Sequence, residues 1–206
     1  MSFTLRLLTA LTLVARFLAH DQRAFVEVPR DTSAQPLPAT CSVARPDSGP
    51  LYETQQMVRS ADAIVVAVAA RTASRVELSS AAGIMDSGPT GSESAIAFRT
   101  LAVLKGRSVP DTLFIVGEFV DHDEFNTSGF PYTFARPSAG RGWCWTEEYR
   151  QGAMYLLMLH RQQTGRLSPY WWPLEPVNEQ LHLPADHWLT WVRQQIETQS
   201  RQGKSQ

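Results

Sequence analysis

The sequence is short of charge, of cysteine and of long apolar runs. Charged residues make up 19% of the chain and the formal net charge is -1. That excludes a bulk attraction to nucleic acid or to anionic lipid, and no nucleic-acid partner is expected. Past the N-terminal region no segment approaches the roughly 20 apolar residues of a membrane-spanning helix, so no later span is expected. The usual signatures of catalysis are missing too. There is no G-x-S-x-G elbow, no H-E-x-x-H zinc helix and no G-x-x-x-x-G-K-[ST] phosphate loop. Gly140-Arg141-Gly142 is too short for a dinucleotide fingerprint and reads as a flexible approach to Cys144. These absences leave no cofactor to expect. No internal repeat is visible.

What is present suits one folded domain with tails. The chain has 206 residues, of which 43% are hydrophobic, enough to bury a real core. Arg6 precedes an apolar stretch over 7–14, short for a span but suited to the core of a signal peptide. Arg16 interrupts it, no clean small-x-small site follows, and Ala19 and Ala24 are the candidate last residues of a leader. An export signal over 1–24, an uncleaved anchor and a plain N-terminal helix all remain open. Export places the protein in the periplasm or outside the cell. The two cysteines, Cys41 and Cys144, are then expected to pair. Such a bond closes a loop of about a hundred residues and is worth about 4–5 kcal/mol in loop entropy. In a reducing compartment they would be two buried thiols.

Prolines 29, 36, 38, 46 and 50 break any helix over 25–50, which reads as a linker. A short helix over 52–60 uses Met57 and Val58 as apolar contacts. The run at 63–70, rich in β-branched residues, reads as a buried strand. Further strands are expected over 75–78, 95–104, 112–116 and 153–159, with a short one at 132–135. The Ser- and Gly-rich stretch 79–94 reads as a loop. The last third changes character. Pro173, Pro176 and Pro184 hold an aromatic strap extended, and a helix follows in which Trp188, Val192 and Ile196 share one face. Asp186 sits where the helix dipole favours an acid. Residues 200–206 read as a disordered tail. The fold class is therefore mainly β: a five-stranded OB-like barrel over 51–160, with a short helix before the first strand. A strap and an amphipathic C-terminal helix over 161–199 pack on it.

The order of signals resembles a known group. A Cys follows the signal region, a helix leads to Ala61-Asp62 and a strand, and a later strand ends in Leu104-Lys105-Gly106. The next begins near Val109, and Gly-Trp-Cys at 142–144 precedes Tyr149-Arg150-Gln151-Gly152 and Tyr155-Leu156-Leu157. Over about residues 41–160 this is similar to the tissue-inhibitor-of-metalloproteinase-like, or netrin-module-like, OB-fold of bacterial exported proteins. In the inhibitors that the resemblance implies, an N-terminal Cys grips the protease zinc and a second Cys follows two positions later. Here Val43 stands at that second position and Cys41 lies beyond any cleavage point, so its blocked nitrogen is a poor ligand. Fold does not fix function.

Three clusters invite a chemical reading. Asp121-His122-Asp123-Glu124 offers hard ligands, but Phe125 and Asn126 stand where an EF-hand loop needs an acid or amide and a glycine, so a solvated acidic loop is expected. His20, His122, His160, His182 and His187 are scattered, and His187 reads as a surface residue at a helix start. Asn126-Thr127-Ser128 matches a glycosylation acceptor. Trp143, Trp145, Tyr170, Trp171 and Trp172 suit either a stacking surface for a ligand or packing around the cysteine and the C-terminal helix. Taken together these features point to a non-catalytic exported binding module, with an unknown protein or envelope component as partner. An enzyme with a site assembled from scattered residues, or a protease-inhibitor-like protein, is the alternative.

Overall fold

A computed structural model of the chain describes residues 50–74, 77, 94–140, 144–163, 165–169, 173–182 and 185–203. All belong to one unit, Leu37–Gln206. The leader, the linker with Cys41, and Trp143, Tyr170, Trp171 and Trp172 lie outside the described residues.

The protein is mainly β. Helix α1 (Pro50–Ser60) leads into β1 (Ala63–Thr72), which pairs antiparallel with β2 (Ala95–Lys105) on one edge and with β6 (Met154–Arg161) on the other. The other edge of β2 takes β3 (Thr112–Val116). After Gly117 the chain continues as β4 (Glu118–Val120), which pairs parallel with β5 (Glu148–Arg150), and β5 turns directly into β6. The path β1–β2–β3/β4–β5/β6–β1 therefore nearly closes a barrel. Gly117 makes the corner possible. Its φ is 147°, and a Cβ there would lie 2.2 Å from the Glu147 carbonyl oxygen. Register shifts in the β1–β2 ladder, bulges in effect, supply further bend.

Both faces of the central strands are covered, which is why β1 and β6 read as continuous apolar runs. Ala63, Val65, Ala67, Tyr155, Leu157 and Leu159 face the barrel interior with Ile96, Phe98 and Ile115. Ile64, Val66, Leu156 and Met158 face outward, under Met57 and Val58 of α1 and Trp188, Leu189 and Val192 of α2 (His187–Gln202). Lys105 Nζ donates to the carbonyls of Val58 and Arg59, capping the end of α1. Asp186 is the N-cap of α2 and accepts from Trp188 N at 2.7 Å.

Four expectations need correction. No strand exists at Glu77, the one described residue of 75–78, which is helical. Ser74 Oγ accepts from Glu77 N, and Glu77 Oε2 accepts from Ser74 N at 3.0 Å, a reciprocal S-x-x-E capping box that marks a helix start. Residues 132–135 are loop, pinned where Thr54 Oγ1 donates to the Tyr132 carbonyl and Ala135 N to that of Leu174. The region after 160 is more than a strap: β7 (Leu167–Ser168) and β8 (Asn178–Gln180) both pair with the open edge of β6. Finally, α2 extends to Gln202, so residues 200–202 are helix and not tail. No helix among the described residues is long and apolar enough to cross a membrane.

Candidate functional site

The loop between β4 and β5 is held down by a buried polar network that centres on Arg136. This side chain is 0% exposed. Its Nη1 donates to Glu124 Oε2 at 2.9 Å and its Nε to the Asn178 carbonyl at 3.1 Å. The guanidinium lies over the rings of Tyr149 and Tyr155, 5.1 and 5.3 Å from their centroids. Its Nη2 has no hydrogen-bond partner among the described residues. Glu179 in β8 is equally buried. Its Oε1 accepts from Arg136 N at 3.1 Å and its Oε2 from Asn126 Nδ2 at 2.9 Å. Glu124 N donates to Gln180 Oε1 at 2.9 Å. Asn178 completes the set, donating to Thr146 O at 2.7 Å and to Tyr149 Oη at 2.8 Å.

Burial dominates the electrostatics. Glu179 is pushed up to about 7 by loss of solvent, against the opposing pull of Arg136 and the Asn126 amide. The phenols of Tyr149 and Tyr155 are raised for the same reason. The guanidinium pairs with Glu124, while Glu179 is held by the backbone N of the same residue, and the three side chains carry a net charge of -1 if both acids ionise.

Beside this network lies an open cleft of about 400 Å³. The loop supplies Asp123 and Phe125, the β5–β6 turn supplies Arg150 and Met154, and β8 with its exit supplies Gln180 and His182. The Phe125 and His182 rings stack 3.8 Å apart at 16°, so one wall is a two-ring platform. Opposite charge stands next to it: Arg150 is paired with Asp123, which also accepts from Gln180 Nε2. No family model, curated protein or solved structure matches the chain. The cleft and the network are accordingly read from their own chemistry.

The acidic cluster divides. Asp121, His122 and Asp123 are exposed, as a solvated loop requires, whereas Glu124 is buried against Arg136. His122, Glu124 and Glu148 bring one ligand atom each within 4.8 Å of one another. His122 Nε2 stands 3.7 Å from Glu124 Oε1, and its Nδ1 is 3.2 Å from Asp121 Oδ1. Nitrogen and carboxylate donors of this kind suit a divalent transition metal. The Arg136 guanidinium on the other oxygen of Glu124 puts like charge beside any cation there. Asn126 is buried and its Nδ2 is engaged by Phe134 O and Glu179, so its match to a glycosylation acceptor is a structural coincidence.

Of the aromatic residues singled out by sequence, Trp145 alone is described, and it is partly buried. His187 is exposed at the start of α2, as expected. Cys144 is buried, with φ of 64°. Its N donates to Ala139 O, and its carbonyl accepts from Leu174 N at 2.7 Å. Peptide mapping of unreduced protein should recover a peptide pair joined through Cys41 and Cys144; two alkylated thiols would contradict that pairing. Sequence reasoning missed Arg136, Asn178 and Glu179, and took Asn126 for a glycosylation match. In the sequence Asn178-Glu179-Gln180 looks like solvated loop, since nothing local says that a polar triplet is a buried strand.

Proposed function

We propose that the chain is a non-catalytic, exported binding module on the plan of the tissue-inhibitor-like OB proteins, with its ligand seat in the cleft beside β8. The observation that carries this reading is the Phe125–His182 ring platform next to the Arg150–Asp123 pair. Rings give contact area at little entropic cost, and the flanking charges fix orientation. A cleft of about 400 Å³ suits one or two side chains of a protein partner, or a small piece of an envelope polymer. Glu179, whose proton affinity is raised, is wholly buried and bonded to Arg136 and Asn126, which favours a structural use over acid–base work on a substrate.

The test is a comparative capture from the native envelope fraction. Wild type, a Phe125→Ala/Arg150→Glu double variant and an Arg193→Ala control are immobilised in parallel. A component retained by wild type and control and lost by the double variant supports the reading. The same retained set on all three would count against the cleft. Arg193 is exposed on α2 and takes no part in the cleft or the network.

A further inference from the structure

We propose that uptake of a proton by the buried cluster at Glu179 fastens the 121–136 loop onto β8, and so controls whether the binding cleft is formed. The inference rests on the cleft reading above only for its consequence. The fastening itself stands on the geometry of the network.

Besides the Gln180 Nε2 bond to Asp123 at the cleft, four hydrogen bonds among the described residues tie this loop to β8, and they converge on a few atoms. Asn126 Nδ2 and Arg136 N both donate to Glu179, Arg136 Nε donates to Asn178 O, and Glu124 N donates to Gln180 Oε1. The same loop carries Asp123 and Phe125 into the cleft, and β8 carries Gln180 to it. If the ties loosen, Phe125 draws away from His182 and Asp123 from Arg150 and Gln180.

The charge balance sets the direction. Arg136 contributes +1 and Glu124 -1, so a neutral Glu179 leaves the buried cluster balanced. An ionised Glu179 adds a negative charge with no second guanidinium among the described residues to meet it, and opening to water relieves the cost. The other groups facing the cluster do not supply that charge. Tyr132, Tyr149 and Tyr155 are raised by burial and stay neutral. Arg150 is committed to Asp123, His122 approaches Glu124 and not Glu179, and Glu148, beside Glu124, and Asp186, felt at Tyr132, are themselves acids. Burial holds Glu179 at about 7, above the 4.5 of a free glutamate. An acid raised on folding stabilises the closed form fully below its open-state value, and that contribution is lost as pH rises through the closed-state value. The loop is therefore fastened in mild acid and loosened above neutrality.

Hydrogen exchange on the full chain, corrected for intrinsic rates, tests this without any ligand. From pH 5 to pH 8, protection of peptides covering 121–136 should fall roughly 10- to 100-fold, while peptides of β1 and β6 hold. Glu179→Gln should abolish that pH dependence. Equal protection of the wild-type loop at both pH values, or an unchanged pH dependence in Glu179→Gln, would overturn the proposal. Should the variant not fold, carboxyl-¹³C NMR of wild type decides: one glutamate is expected to titrate near neutrality, and titration of every glutamate below about pH 5.5 would refute it. Neither readout depends on whether the cleft binds anything.

Discussion

Replacing Arg136 by Met is expected to cost about 3–5 kcal/mol of stability, the range for breaking a buried ion pair from one side. Methionine keeps much of the volume but withdraws the charge, leaving Glu124 buried with its strongest partner gone and the Asn178 carbonyl without its donor. The loss is a large share of the roughly 5–15 kcal/mol that holds a domain together. Arg136→Lys should rescue little, because a single ammonium cannot span the two acceptors that Nη1 and Nε reach at once. Adding Glu124→Gln to Arg136→Met should recover part of the loss by removing the stranded charge, a positive coupling in a double-mutant cycle. The penalty should also grow with pH. Arg136 pulls the proton affinity of Glu179 down, so its removal makes an ionised Glu179 still less favourable. Urea unfolding at pH 5.5 and pH 8 measures all of this. A cost under about 1 kcal/mol at both values would mean that the loop is held by something other than this network.

The contrast between what sequence reasoning found and what it missed has a physical basis. The strands at 63–70 and 153–159 were legible as apolar runs because both of their faces are buried, and those at 95–104 and 112–116 because their apolar side chains alternate with the period of the backbone. The C-terminal helix was legible because Trp188, Val192 and Ile196 share one stripe and Asp186 caps it. The S-x-x-E spacing of Ser74 and Glu77 stands in the sequence, but the strand expected over 75–78 left it unread. The polar network was not legible. Its members, at 124, 126, 136, 146, 178 and 179, are scattered, and each is locally a plausible loop residue. Their burial is set by tertiary closure: β8 must cover the edge of β6, and the loop must cover β8. Sequence periodicity carries no information about such covering.

The network and the apolar core divide the work of holding the barrel. Inside, Phe98, Tyr149 and Tyr155 meet edge to face at 5.0 to 5.6 Å, so the aromatic core runs directly into the polar cluster through the two phenols. Tyr155 Oη accepts from Arg150 N at 2.7 Å, which ties the start of the β5–β6 turn, and with it the cleft, to the interior. The cleft is therefore built on a rigid strand pair along one side and on a loop fastened by titratable groups along the other. Only the second side responds to pH in this scheme.

The outer core offers the other large effect. Trp188 is 0% exposed, stacks on Trp191 at 5.1 Å and 7°, and meets Tyr132 at 5.2 Å. It sits over Ile64, Val66, Leu156 and Met158 on the outer face of the sheet. A helix of this length is marginal in water, so packing must supply most of its stability. Trp188→Ala is expected to cost about 3–5 kcal/mol. At roughly 2–4 °C per kcal/mol for a chain of this size, the melting temperature should fall by about 10 °C. Arg193→Ala, on the exposed side of the same helix, should change stability by no more than about 0.5 kcal/mol. Trp188→Phe separates area from polarity. The indole N–H is buried with no hydrogen-bond partner among the described residues, so Phe removes an unsatisfied donor while keeping an aromatic ring, and it should cost well under half as much as Ala. Thermal melts of the three variants decide the matter. Equal and negligible shifts for Trp188→Ala and Arg193→Ala would mean that α2 contributes nothing to the barrel, whereas a loss for Trp188→Phe as large as for Trp188→Ala would place the stabilisation in the indole's shape and not in the apolar area it covers.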